Sequence, residues 1–177
     1  MRTMFLVSAI VINISLSVAA QGPAPRTSGG AITYSASGAN TYFSIPMPGG
    51  GTSRLRAERD RSVAKDAKPT SVKLLAEVSG SALILTDTYA SLPGGMSYCQ
   101  AGEERFLRII AISGKKPVET YHVKIESCRD NVELASPGIQ WSSETKRLDI
   151  HWLSAPGEAG KPKDLTLRIG ADGKPVS

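Results

Sequence analysis

VKLLAEVSGSALILTDTY, residues Val72 to Tyr89, decides the fold class. Two β-prone runs, Val72 to Val78 and Ala82 to Tyr89, flank Ser79-Gly80-Ser81, and a glycine between two small polar residues predicts a tight hairpin. Toward the C-terminus the same grammar repeats. Glu104 to Ile112 and Val118 to Glu126 flank a turn at Ser113 to Pro117. In the second run Tyr121, Val123 and Ile125 alternate with Thr120, His122 and Lys124, the period-two mark of a half-buried strand. Ile139 to Trp141 leads through residues 142–146 into Arg147 to Leu153, where Leu148, Ile150 and Trp152 share one face. Leu165, Leu167 and Ile169 make a last alternating strand.

Toward the N-terminus, Ile32 to Tyr34 and Thr41 to Ile45 read as a hairpin around Ser37 to Asn40. Short strands at hairpin spacing predict a mainly β chain, an antiparallel β-sandwich or small barrel. At most one short helix is expected, at about 53–67, where Thr52 or Ser53 is a capping residue and Leu55, Val63 and Ala67 give a thin apolar stripe. A mobile charged loop is the alternative for that segment.

Residues 1–20 carry Arg2, an apolar stretch from Met4 to Ile14 and the small residues Val18-Ala19-Ala20, which predicts a secretory signal cleaved before Gln21. Residues 21–30, QGPAPRTSGG, read as a flexible leader, and 31–177 as one domain. Periplasmic or secreted localisation follows. No later stretch is long and apolar enough for a membrane-spanning helix. The formal charge of +5 becomes +4 without Arg2, too mild for a nucleic-acid-binding surface. Most of that charge is concentrated in residues 52–68, which hold six basic and three acidic side chains. Arg54, Arg56, Arg59 and Arg61 are therefore candidates for steering an acidic partner.

SYCQAGEE, residues Ser97 to Glu104, contains one of the two cysteines. An exported chain with two cysteines defaults to a single bridge. Pairing Ile112 with Val118 places Glu104 opposite Glu126 and Gly102 opposite Cys128, so Cys99 falls near Cys128 at the open end of that hairpin. A Cys99–Cys128 bridge is expected, with stabilisation of roughly 3–4 kcal/mol from closing about 30 residues. The neighbouring Glu104 reads as a solvated strand end.

The remaining residues exclude more than they assign. No Gly-x-Ser-x-Gly elbow, His-Glu-x-x-His motif or phosphate loop is present, and His122 and His151 are the only histidines. No catalytic residue, metal site or cofactor is assigned. The connection Asp87 to Tyr98 carries Tyr89, Met96 and Tyr98 around a Pro-Gly-Gly bend, a composition suited to recognition. The leading expectation is a periplasmic protein-binding module with a protein partner in the cell envelope, most specifically an inhibitor or immunity-type protein that occludes an envelope-acting enzyme. Two alternatives come from other classes. One is a cell-wall or carbohydrate hydrolase using dispersed carboxylates such as Asp87 and Glu104. The other is a structural or adhesive envelope subunit completing a neighbour's sheet.

Overall fold

The computed structural model describes residues 30–176 except 38–39, 65–66, 93–101 and 159. The expected signal, Met96, Tyr98 and Cys99 lie outside the described residues. Among the described residues the chain is all β, in three antiparallel sheets. The first holds β1 (Thr33–Ser37), β2 (Asn40–Pro46) and β3 (Thr52–Ala57), with β2 in the centre. The second holds β4 (Ser71–Val78), β5 (Ala82–Ala90), β6 (Glu103–Ala111) and β7 (Val118–Ser127) in chain order. The third runs β11 (Pro175–Val176), β10 (Lys163–Ile169), β9 (Arg147–Ser154), β8 (Glu133–Ser142).

The β4–β7 sheet lies between the other two. Alternate side chains of β5 go to opposite sides. Ala82 and Ile84, with Leu107, Ile109 and Ile125, pack against Leu148, Ile150, Trp152, Leu167 and Ile169 of the third sheet. Leu83 and Leu85, with Ile110 and Ile112, pack against Phe43, Ile45, Leu55 and Ala57 of the first. Two-sided burial explains why Ala82-Leu-Ile-Leu85 is continuously apolar, whereas β7, β9 and β10 alternate. Each fully buried leucine or isoleucine contributes about 1.5–3 kcal/mol relative to exposure.

The predicted hairpin at Ser79-Gly80-Ser81 forms, with Val78 opposite Ala82 and positive φ at Ser79 and Gly80. The strand pairs of β1 with β2 and β8 with β9 also form as expected. At the far end, Gly173 has φ of 78°, and a Cβ there would collide with the Ser81 carbonyl and lie 2.9 Å from the Ala111 Cβ. The turn before β11 therefore lies directly against the end of the β4–β7 sheet, where Thr120 Oγ1 also donates to the Gly173 carbonyl at 3.2 Å.

Two expectations are corrected. The helix at about 53–67 is absent: residues 52–57 form β3, and residues 58–62 and 64 lie outside any strand. The deciding signal is period two, with Leu55 and Ala57 buried and Arg54 and Arg56 exposed. The β6–β7 register matches the expected one only from Phe106 to Ile109. Bulges at Ile109/Ile110 and Arg105/Phe106 shift each end, so Ala111 faces Val118 and Glu104 faces Ser127.

Candidate functional site

The side of the β4–β7 sheet that faces β1–β3 changes character along its length. Leu83 and Leu85 give way to Asp87 and Tyr89 on β5, and Ile110 gives way to Arg108, Phe106 and Glu104 on β6. The chain leaving β3 runs over these polar side chains. It is held by a bridge between Val63 and Ser91 and by the Leu92 N–H donating to the Ser62 carbonyl at 2.9 Å. Two ionic groups lie beneath it.

Arg108 is 1 % exposed and uses three of its nitrogens. Nε meets Asp87 Oδ1 at 2.8 Å, Nη1 meets Glu119 Oε2 at 2.7 Å, and Nη2 donates to the Glu58 carbonyl at 3.0 Å. Burial works against the guanidinium charge, but the adjoining Asp87 and Glu119 carboxylates outweigh it and push the Arg108 pKa up. Glu119 also accepts His122 Nδ1 at 2.7 Å.

Lys124 gathers the second group. Its ammonium lies 3.0 Å from Asp60 Oδ1, 3.1 Å from Ser62 Oγ and 3.8 Å from Glu104 Oε2, and also contacts Asp130. Burial opposes its charge, yet the hydrogen bonds to Asp130 and Asp60 hold its pKa above the ordinary lysine value. Burial likewise opposes ionisation of Asp60. The Ser62 N–H and hydroxyl, each at 2.8 Å, and Lys124 outweigh it and lower the Asp60 pKa. Phe106 lies between the two groups, its ring centroid 5.6 Å from the Arg108 guanidinium carbon and 5.8 Å from Lys124 Nζ.

Above them opens a cleft of about 450 Å³, lined by residues 58–62 together with Phe106, His122, Arg129 and Asp130. Asp60 and Asp130 both grip Lys124, so one buried lysine ties the 58–62 segment to the turn after β7.

The sequence-predicted residues distribute unevenly around this cleft. Arg61 and Arg59 line it, the latter donating from Nε to Thr41 Oγ1 at 3.0 Å. Arg54 and Arg56 lie on β3, where Arg54 stacks 3.7 Å over Tyr42 and Arg56 Nε donates to Asn40 Oδ1 at 2.7 Å. Tyr89, expected on a recognition surface, is fully buried. Its ring packs edge-on against Phe106 at 6.0 Å and its hydroxyl donates to Thr41 Oγ1 at 3.3 Å. Burial raises its pKa. It is a core residue in this structure because β5 is covered on both faces.

Glu104 is the second correction at the site. Instead of a solvated strand end it has no exposed surface, and Oε1 accepts from Ser91 Oγ at 2.7 Å and from the Arg129 N–H at 3.3 Å. Asp87 is equally buried. Of the two carboxylates considered for hydrolysis, Asp87 is hydrogen-bonded to Arg108, and Glu104 Oε2 lies 3.8 Å from the Lys124 ammonium without a hydrogen bond. His151 lies on the third sheet, 2.8 Å from Asp164, apart from His122.

Arg129 escaped sequence reasoning. The available signal was the repetition of an Arg-Asp pair, Arg59-Asp60 and Arg129-Asp130, in two connections that flank strands. At the open end of β6–β7, Cys128 N–H donates to the Glu103 carbonyl at 3.3 Å, and a Cβ on Gly102 would fall 2.5 Å from the Cys128 Cβ. Gly102 therefore lies against the Cys128 side chain, although the bulge at Arg105/Phe106 shifts the strict pairing from the expected Gly102–Cys128 to one in which Glu104 faces Ser127.

No protein-family model, curated protein or solved structure matches the chain.

Proposed function

We propose that the chain is a non-enzymatic protein-binding module of the cell envelope, most specifically an inhibitor or immunity-type protein that occludes an envelope-acting enzyme. The observation that carries this reading is the burial of Asp87 and Glu104 in ion pairs. A general acid or nucleophile must touch its substrate, and neither carboxylate has surface with which to do so. What the cleft offers solvent is Arg61, Arg129 and His122 beside the carboxylates Glu58, Asp60 and Asp130, a mixed-charge surface in which arginine is the group most common at recognition surfaces.

Export through the segment 1–20 and a Cys99–Cys128 bridge complete the proposal. The close approach of Gly102 to Cys128 supports the bridge, and there is no free cysteine among the described residues. The test is capture from envelope extract by immobilised mature chain, with mass spectrometry of the retained proteins. One protein enriched in equimolar amount and released by rising salt is the expected result. Retention of glycan fragments with no protein enriched would overturn the reading in favour of a carbohydrate-acting enzyme.

A further inference from the structure

We infer that the cleft between residues 58–62 and Arg129 is a carboxylate-binding site in which Arg61 and Arg129 grip an acidic side chain of a protein partner. This rests on the protein-binding reading and gives it a location and a chemistry.

The argument begins with how the charges are committed. The cleft wall carries three arginines, Arg59, Arg61 and Arg129, and three carboxylates, Glu58, Asp60 and Asp130. Asp60 and Asp130 both contact the Lys124 ammonium while staying partly exposed, and Glu119 beside His122 is held by Arg108. Arg61 and Arg129 have no ion pair among the described residues, and both are exposed. The sequence places each of them next to an aspartate that Lys124 holds. Because Asp60 and Asp130 grip one ammonium from two segments, Lys124 ties the adjoining backbones together, and Arg61 and Arg129 line one cleft. The Arg129 side is pinned a second time, by its N–H on the buried Glu104 carboxylate.

Two exposed guanidinium groups lining a common cleft suit a planar anion. Each presents a rigid fork of donors that matches a carboxylate bidentately, and neither is free to lose its proton. The site narrows the acidic-partner expectation from the four arginines of residues 52–61 to Arg61 with Arg129, since Arg54 and Arg56 are occupied on β3 by Tyr42 and Asn40.

The test titrates the mature chain with an end-blocked hexaglutamate peptide, followed by calorimetry and by amide chemical shifts. Hexalysine and inorganic phosphate serve as comparison probes. The expected result is saturable hexaglutamate binding that perturbs the amides of Phe106, His122 and Arg129. Arg61→Gln with Arg129→Gln should weaken it at least about tenfold, while Arg54→Gln with Arg56→Gln changes it less than about twofold. Absence of peptide binding, equal loss from the two double variants, or saturation by phosphate with none by peptide would each overturn the inference. The same Arg61/Arg129 double variant is then passed through the envelope-extract capture. Undiminished capture by that variant refutes the cleft site and leaves the binding module standing. Peptide binding by a wild-type chain that captures no envelope protein supports the site and refutes the module.

Discussion

Arg108 Nε lies 2.8 Å from Asp87 Oδ1, between two adjacent strands, with both side chains essentially sealed from solvent. Paired, the two charges satisfy each other. Separated, either one is an uncompensated buried ion. Arg108→Met should therefore destabilise the protein by about 3–5 kcal/mol, because it strands Asp87 and deprives Glu119 of its nearest cation. Combining Arg108→Met with Asp87→Leu should cost clearly less than the sum of the single changes. Urea unfolding of the four proteins of this cycle measures the coupling directly, and additive losses would show that the pair does not act as one.

Glu104 gives a second stability prediction. Its Oε1 accepts two hydrogen bonds and its Oε2 faces Lys124. Glu104→Gln keeps the shape but removes the charge opposite a buried ammonium, so a loss of about 1–3 kcal/mol is expected. Ser91→Ala should lower stability in the same direction by a smaller amount. Thermal melts of both variants check the order.

The Asp60–Lys124 contact predicts how stability responds to pH. The folded Asp60 pKa lies below its ordinary 3.8, so its contribution is present above that value and is lost as pH falls through the lower folded value. The folded Lys124 pKa lies above 10.5, so its contribution is complete below that value and is lost as pH rises through the higher folded one. The stability difference between wild type and Lys124→Met should then be flat from about pH 5 to about pH 9 and shrink beyond both ends. Denaturant midpoints across that range supply the measurement. A difference that peaks near neutrality would contradict this account of the contact.

Strand existence was largely legible, because hairpin turns and period-two alternation are local signals. Tyr121, Val123 and Ile125, or Leu148, Ile150 and Trp152, declare which face packs against the core. Three things were harder to read. The β3 alternation at Leu55 and Ala57 is only two residues long and is embedded among arginines, so the charge pattern mimicked a surface helix. Two-sided burial of the β4–β7 sheet was written in Ala82-Leu-Ile-Leu85, but a continuous apolar run does not say what covers each face. That ambiguity misplaced Tyr89 and Glu104, since a charged or aromatic residue near a strand end is solvated only if no third layer lies over it. The cleft joins residues some seventy positions apart (Asp60 and Asp130) through Lys124, a long-range meeting that no local pattern encodes.

Site-specific photo-crosslinking in the envelope of living cells tests the binding reading most directly. A photoreactive side chain is placed at position 58 at the cleft rim, and in a second strain at position 153, where Leu153 is exposed on the third sheet. One discrete adduct containing an envelope protein, formed from position 58 and absent from position 153, is the predicted result. Adducts from position 58 that contain glycan and no protein would contradict it.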